Sequence, residues 1–202
     1  INPFVYTDMT FDPLTDFVPV APVTSSPILV VANAKVPASN LTELIALARK
    51  EPGTLSYGSG GMGTAPHLAG EMFKAAAGVN ILHVPYRGVG PATTAVLGGE
   101  VQLMYNNVAT AIEHVRGGKL NALGVGEPKR IEGLPDVPAI AETVPGFEMA
   151  AWVGIFVPAK TPHPIVDRLT KETAAFLEEP ETKKYFQQQF IVAAYKNPEQ
   201  FQ

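Results

Sequence analysis

Between residues 40 and 125 the chain repeats one short unit, and this repetition restricts the fold more than any other feature. A capped helix is followed three times by a short apolar strand, a loop with glycine or asparagine, and a short helix; a fourth strand ends the series. Strands that alternate with helices favour a mostly parallel sheet with right-handed crossovers. The pattern therefore predicts an α/β fold.

The bounds of these elements follow from capping residues, helix breakers and apolar spacing. Asn40, with Glu43 three residues later, marks the start of the first helix, which should end at Pro52-Gly53. Further helices are predicted over 65–77 and 108–116, and another with Pro91 at its start; strands are predicted over 54–57, 81–84, 101–105 and 120–125.

The segments on either side of this series differ from it. Five prolines before residue 28 predict an extended or looped connector with short strands at best, followed by a buried strand over 28–31. After the loop 126–137, the apolar run 150–157 predicts a strand, and Thr161-Pro162-His163-Pro164 opens a helix. These last elements suggest another lobe.

Composition excludes several classes of function. Apolar residues make up 46% of the 202 residues and charged residues 17%, as in a packed globular protein. Because the net charge is only -4 and the basic residues are scattered, nucleic acid is not an expected partner. The chain has no cysteine, which excludes disulfides, thiolate catalysis and cysteine-ligated metal. No apolar run approaches the roughly 20 residues of a membrane-spanning helix.

The loops that follow the strands are the expected place for a ligand, because an open parallel sheet binds ligands beyond the carboxyl ends of its strands. Each helix start there offers unpaired N–H groups and the positive end of a dipole, which together favour an anion. The three loops also contain neutral hydroxyl and amide groups and one cation that would suit a carboxylate: Ser59, Thr64, Tyr86, Asn106, Asn107 and Arg87.

Single residues in these loops also allow purely structural interpretations. Thr64 and Asn107 could be N-caps, and Arg87 could face solvent instead of clamping a carboxylate. The loop 58–64 as a whole has four glycines interleaved with hydroxyl groups, which exceeds the needs of a turn. We therefore interpret this loop as ligand-binding.

The same loop raises the alternative of a nucleotide-dependent oxidoreductase. Gly58-x-Gly60-x-x-Gly63 follows a predicted strand and opens a helix, as in dinucleotide-binding folds. An acidic residue should stand about 20 residues further on to hold a ribose hydroxyl. The residues found there are His83, Val84 and Pro85, which weakens this interpretation.

The histidines indicate no catalytic or metal site. His67 and Glu71 are four residues apart on one helix face and could share a metal ion. No third ligand is evident, so an ordinary side-chain pair is favoured. His83 lies within a strand and is predicted to be a satisfied core residue rather than a base. We expect no metal and no cofactor.

Six segments share their order and spacing with one known family. They are 57–60 (Tyr-Gly-Ser-Gly), 67–73 (His-Leu-Ala-Gly-Glu-Met-Phe), 83–88 (His-Val-Pro-Tyr-Arg-Gly), 117–120 (Gly-Gly-Lys-Leu), 134–138 and 152–159. Together they make nearly the whole chain resemble the Bug-type receptors of tripartite tricarboxylate transporters.

This resemblance implies a periplasmic-binding-protein-like fold of two α/β lobes with mostly parallel sheets. Residues 1–26 would belong to lobe one and a connector, residues 27–150 to lobe two, and residues 151–202 to a return crossover and the C-terminal part of lobe one. On the family pattern, the residues that hold one ligand carboxylate would be Ser59, Gly60, Gly63 and Thr64.

The resemblance also implies a function without catalysis. The protein would be a periplasmic receptor that captures a small carboxylate and delivers it to the membrane permease subunits of a transporter. A regulatory receptor that senses its ligand is a further alternative, which a neighbouring sensor kinase rather than a permease would favour.

Two departures from the family pattern shape these expectations. Nothing before Ile1 supplies the strand and glycine-rich loop with which family members begin, so we expect a fragment of a longer precursor with an incomplete first lobe. Unpaired strand edges would then favour self-association. The other departure is Asn106, where the family commonly has aspartate. An amide adds no negative charge and should favour purely anionic ligands over ligands with an amino group.

Overall fold

The computed structural model describes residues 2–5 and 7–195, which fold into strands and helices in the α/β class. The strands are β1 (Phe17–Asn33), β2 (Ser56–Ser59), β3 (Leu82–Pro85), β4 (Leu103–Asn107), β5 (Leu120–Val125), β6 (Ala150–Pro158) and β7 (Val192–Ala193). The helices are α1 (Asn2–Val5), α2 (Leu41–Lys50), α3 (Ala65–Ala77), α4 (Val89–Gly98), α5 (Val108–Arg116), α6 (His163–Glu178) and α7 (Pro180–Gln188), with a 3₁₀ turn at Ile140–Glu142.

The chain divides into two compact units. Unit 1 consists of residues 1–26 and 151–202, and unit 2 consists of residues 27–150. In unit 2 the strand order is β3-β2-β4-β1-β5. Strand β2 pairs in parallel with β3 and β4, whereas β1 is antiparallel to β4 and β5. Since β2, β3, β4 and β5 all run in one direction, the mostly parallel sheet is confirmed, with β1 as its antiparallel member.

Strand β1 shows that the prediction for the opening segment was wrong. The segment was predicted to be extended or looped, with short strands at best, before a four-residue strand; instead, residues 17–33 form one continuous strand. The φ angle of proline is compatible with an extended backbone, and proline lacks only the N–H donor that pairs strands. All three prolines of β1 precede residue 28. Residues 29–32, which pair with strands on both sides, contain no proline and are buried, as a central strand requires.

The helices of unit 2 follow the predicted capping signals. Asn40 caps α2 by accepting the Glu43 N–H at 2.9 Å, although the Glu43 carboxylate reaches back to the N–H of Ser39, not of Asn40. Helices α3 and α5 have the predicted bounds. Strands β2 and β4 begin and end two residues later than predicted, so that Ser59 and Asn107 are the last residues of their strands.

One glycine in α3 shows how closely this helix packs on the sheet. Gly70 is buried against the ring of Tyr57, and a Cβ atom at this position would overlap the ring. Tyr57 is itself fully buried and packs edge-to-face on Tyr105, with the ring centroids 5.4 Å apart. The absence of a side chain at Gly70 therefore allows the helix to lie directly on an aromatic core.

We predict that Gly70→Ala destabilises the protein by about 1–3 kcal/mol, because the added methyl group cannot be accommodated without moving the Tyr57 ring. Gly98→Ala at the end of α4 is the matched control, since a Cβ atom there meets nothing within 4 Å. The control should leave stability unchanged or raise it by up to about 1 kcal/mol. Urea denaturation of both variants measures the difference, and equal effects would contradict the packing account.

Unit 1 is built on the first part of β1, which pairs with β6 and β7. A small core of Val20, Ala21 and Val166 joins β1 to α6, and the Thr170 hydroxyl donates to the Val20 carbonyl at 3.3 Å. Several apolar side chains of this unit are exposed, including Leu14, Trp152, Val153, Phe156, Ile165 and Phe176. These side chains provide apolar surface for the expected self-association, which stays a prediction. Among the described helices, none has the length and apolar character needed to cross a membrane.

Candidate ligand-binding site

The three expected loops, which join β2 to α3, β3 to α4 and β4 to α5, lie at one edge of the sheet of unit 2, called the loop edge below. Parallel strands β2, β3 and β4 all end at this edge, and helices α3, α4 and α5 begin there. Backbone hydrogen bonds join the first two loops: the Tyr86 N–H donates to the Ser59 carbonyl at 2.9 Å, and the Gly88 N–H donates to the Gly60 carbonyl at 3.2 Å. The positive ends of three helix dipoles are thereby gathered at one place.

The glycine loop between β2 and α3 has a backbone that only glycine adopts readily. Gly61 and Gly63 have φ angles of 127° and 75°, in the region that side chains disfavour. At Gly60 the constraint is space, because a Cβ atom would lie 3.2 Å from the backbone nitrogen of Val89 at the start of α4. The glycines therefore permit both the turn and the close approach of the two loops.

Three of the predicted site residues use their side chains to brace the loops. The Ser59 hydroxyl is buried and accepts the Gly61 N–H at 3.1 Å, while the Thr64 hydroxyl donates to the Gly61 carbonyl at 2.7 Å. The buried Asn106 amide accepts the Asn107 N–H at 2.8 Å. These side chains hold backbone in position, so any contact from them to a ligand stays a prediction.

The other three predicted side chains are uncommitted. Within the described residues, no hydrogen bond or ion pair involves the Tyr86 hydroxyl, the Arg87 guanidinium or the Asn107 amide. Arg87 is exposed, and Tyr86 and Asn107 are partly exposed. Burial, and then the nearby Glu100 carboxylate, raises the pKa of Tyr86, which keeps its hydroxyl protonated as a donor. The three residues therefore carry uncommitted donors of three kinds: a phenol, a guanidinium and an amide.

Thr64 and Asn107 occupy N-cap positions without capping their helices. Both have the extended backbone of an N-cap, and neither side chain bonds the first turn of its helix. Gly88, which precedes α4, has no side chain to do so. All three helices at this edge therefore begin without a side-chain cap, which leaves the backbone N–H groups of their first turns for water or a ligand.

The structure places two histidines directly behind the glycine loop. His83 Nε2 lies 2.6 Å from the Ser59 hydroxyl, and His67 Nδ1 accepts the Gly63 N–H at 3.1 Å. His83 was predicted to be a satisfied core residue; it has this hydrogen-bond partner, but its side chain is only partly buried. The link from His67 to Gly63 was missed, because a side chain that accepts from a loop N–H four residues earlier has no sequence signature.

Glu71 does not pair with His67 as the sequence suggested. Its carboxylate accepts from the Lys74 ammonium at 2.8 Å and from the Tyr57 hydroxyl at 2.8 Å. Burial opposes ionisation of Glu71, but these two hydrogen bonds outweigh it and hold the carboxyl pKa below its usual range. In the described part of the chain, no three acidic or histidine side chains come together as metal ligands would.

Tyr105 differs from its neighbour Tyr57 in one respect. Both rings are fully buried, but the Tyr105 hydroxyl has no hydrogen-bond partner among the described residues. Burial raises the pKa of Tyr105, so the hydroxyl stays protonated. An unsatisfied buried hydroxyl carries a desolvation cost that no interaction offsets.

We predict that Tyr105→Phe leaves the free energy of unfolding unchanged or raises it by up to about 1 kcal/mol, because no hydrogen bond is lost. Tyr57→Phe should lower it by about 1–2 kcal/mol, since it removes the hydrogen bond to the Glu71 carboxylate. Thermal and urea unfolding of the two variants test this contrast. A loss in Tyr105→Phe as large as that in Tyr57→Phe would show that the Tyr105 hydroxyl has a partner.

A separate depression lies at the opposite edge of the same sheet. It has a volume of about 240 Å³ and is lined by Asn33, Lys35, Val36, Leu55, Gly99 and Gln102. Two of its polar side chains are committed: Asn33 donates to the Val96 carbonyl at 2.7 Å, and Gln102 accepts from the Ser56 N–H at 3.0 Å. No described helix begins at this depression, which therefore lacks the uncapped helix starts of the loop edge.

The parallel sheet of unit 2, with glycine-rich loops leading into helix N-termini, has the fold of the periplasmic binding proteins. The chain belongs to the family described as the tripartite tricarboxylate transporter family receptor, which matches residues 1–202. The sequence resemblance to Bug-type receptors is thereby confirmed.

Known relatives agree with this assignment. A curated relative from Pseudomonas sp. strain P51, the UPF0065 protein in the tcbD-tcbE intergenic region, is 36% identical over 98% of this chain and 60% of its own length. The solved structure of Rhodopseudomonas palustris Rpa4515 with adipate has a TM-score of 0.92 and 33% identity over 98% of this chain and 66% of that one.

Two further solved structures are similar. The periplasmic binding protein BugD has a TM-score of 0.90 and 34% identity, covering 98% of this chain and 68% of its own. MatC from Rhodopseudomonas palustris, with bound malate, has a TM-score of 0.85 and 28% identity, covering 94% of this chain and 65% of its own. The chain thus spans about 60% of the length of the curated relative and about two thirds of the solved ones.

Proposed function

We propose that this chain is part of a periplasmic solute receptor that captures a small carboxylate and delivers it to the membrane permease subunits of a transporter. In this proposal unit 2 is the ligand-binding second lobe, and unit 1 contributes the connector and the C-terminal part of the first lobe. The family assignment and the similar proteins solved with adipate and malate support a carboxylate as the ligand class.

The observation that carries the proposal is the loop edge of unit 2. Three helices begin there without side-chain caps, and three donor side chains are uncommitted among the described residues. A carboxylate accepts several hydrogen bonds at once and is stabilised by the positive end of a helix dipole. Arg87 adds a full positive charge that can bind a carboxylate through two parallel hydrogen bonds. The backbone N–H of Gly60 adds a further proposed contact, whereas the N–H groups of Gly63 and Thr64 already donate to His67 Nδ1 and to the Gly61 carbonyl and would act through the shape of the loop.

The short contact between Ser59 and His83 does not support a hydrolase. A nucleophile must reach its substrate, and the Ser59 side chain is fully buried. Its hydroxyl already accepts the Gly61 N–H, and the ring beside His83 is another imidazole rather than an orienting carboxylate. His83 also stands at the sequence position where a dinucleotide-binding protein needs an acidic residue. We therefore propose binding without catalysis or cofactor.

We predict that the chain binds dicarboxylates such as adipate or malate and does not bind NAD. In Gly60→Ala the affinity should fall at least about tenfold, because the new methyl group would press on the Val89 nitrogen and separate the two loops. Isothermal titration calorimetry measures both effects, and Gly98→Ala at the far end of α4 serves as the control. Saturable binding of NAD, or an unchanged dicarboxylate affinity in Gly60→Ala, would contradict the proposed site.

Asn106 is expected to influence which carboxylates bind. Its amide oxygen accepts the Asn107 N–H, and a carboxylate in Asn106→Asp could keep this hydrogen bond while adding a negative charge next to the start of α5. We predict that Asn106→Asp weakens malate binding relative to binding of aspartate, whose amino group would compensate the new charge. The ratio of the two affinities, measured by calorimetry, tests this prediction. An unchanged ratio would exclude a role for Asn106 in selectivity.

A further inference from the structure

Two histidine side chains form hydrogen bonds with residues at the two ends of the glycine loop. At one end, His83 Nε2 lies 2.6 Å from the Ser59 hydroxyl, which in turn accepts the Gly61 N–H. At the other end, His67 Nδ1 accepts the Gly63 N–H at 3.1 Å. The backbone from Ser59 to Gly63 therefore depends on two side chains that lie on other elements, β3 and α3.

The two rings cannot turn independently of each other. His67 and His83 have ring centroids 4.3 Å apart, and the His83 ring also stacks on Tyr57, with centroids 4.8 Å apart. Tyr57 is fixed by its hydrogen bond to Glu71, which also binds Lys74. The stack thus connects the loop to the core of unit 2, and a change in either imidazole reaches the loop directly.

The protonation state of His67 decides whether its contact can exist. A nitrogen that accepts a backbone N–H carries no proton, whereas both nitrogens of an imidazolium are donors. The titratable groups around the pair are Glu71 and Lys74 on α3, which neutralise each other, and Tyr57 and Tyr105 on the neighbouring strands. Burial is the largest cause that lowers the pKa of His83, so His83 is neutral at neutral pH.

We propose that His67 and His83 are positioning residues that hold the glycine loop in its carboxylate-binding shape, and that protonation of His67 releases Gly63 and weakens binding. This inference rests on the proposed function for the ligand, but its structural part concerns the free protein. Protonation abolishes the acceptor at Nδ1, so the effect has one sign: the neutral imidazole holds the loop and the imidazolium releases it.

Two substitutions of His67 distinguish the effect of its hydrogen-bond acceptor from the effect of its aromatic ring. In His67→Asn the side-chain oxygen can stand in for Nδ1 and does not titrate, whereas His67→Phe keeps an aromatic ring in the stack and has no acceptor. Amide hydrogen exchange of Gly63, followed by NMR in the free protein, reports on the contact. After correction for the intrinsic exchange rate, wild-type Gly63 should lose protection on acidification, because an imidazolium has no acceptor for its N–H. His67→Asn should keep it throughout, and His67→Phe should lack it throughout.

The affinity for adipate gives a second, independent measurement. At neutral pH we expect His67→Phe to bind about tenfold more weakly than the wild type, as for the loss of one neutral hydrogen bond. His67→Asn should match the wild type at neutral pH and bind more tightly than it at about pH 5. Because adipate titrates identically in both experiments, the ratio of the two affinities isolates the histidine.

Each outcome decides the inference. Protection of Gly63 that is independent of pH in the wild type, or equal in His67→Phe, would falsify the positioning role. If acidification strengthens wild-type binding relative to His67→Asn, the imidazolium attracts the ligand and the proposed release is wrong. If the protection of the Gly63 amide depends on His67 as predicted, but neither the wild type nor His67→Asn binds adipate or malate, the positioning of the loop stands and the proposed function fails. Should His67→Phe not fold, the wild-type exchange profile alone still tests the contact.

Discussion

The parallel pairing of β2 with β3 and β4 is the constraint on which the candidate site depends. Because these strands run in one direction, their carboxyl ends and the following helix starts meet at one edge of the sheet. Antiparallel neighbours would have sent alternate loops to opposite edges. The close approach of Gly60 to the start of α4, and the hydrogen bonds between the two loops, are possible only after this arrangement has been set.

Much of this arrangement could be predicted from the sequence, and the rest could not, for identifiable reasons. Helices α3 and α5 have the predicted bounds because proline, glycine and apolar spacing are local signals. The length of β1 was missed because its prolines resemble those of a loop, whereas pairing with other strands decided its conformation. All eight predicted site residues lie on the loop edge, but the sequence could not show that Ser59 is buried against His83. That contact joins residues 24 positions apart.

The residues of the loop edge divide into those that build it and those that remain open to a ligand. The side chains of Ser59, Thr64 and Asn106 form hydrogen bonds with neighbouring backbone groups, so they act through the shape of the loops. Backbone N–H groups held in this way recognise an anion but carry little information about the remainder of a molecule. Tyr86, Arg87 and Asn107 can therefore contribute more to selectivity within the proposed carboxylate class than the glycine loop itself.

The central claim, that a carboxylate binds at the loop edge of unit 2, is tested most directly by mapping amide chemical shifts during a titration. The ¹⁵N-labelled chain would be titrated with adipate to millimolar concentration and its backbone amides followed by NMR. The account predicts saturable shifts concentrated in residues 59–65, 86–90 and 106–109. Shifts concentrated instead around Asn33, Leu55 and Gln102, at the opposite edge of the sheet, or no saturable shift at all, would contradict it.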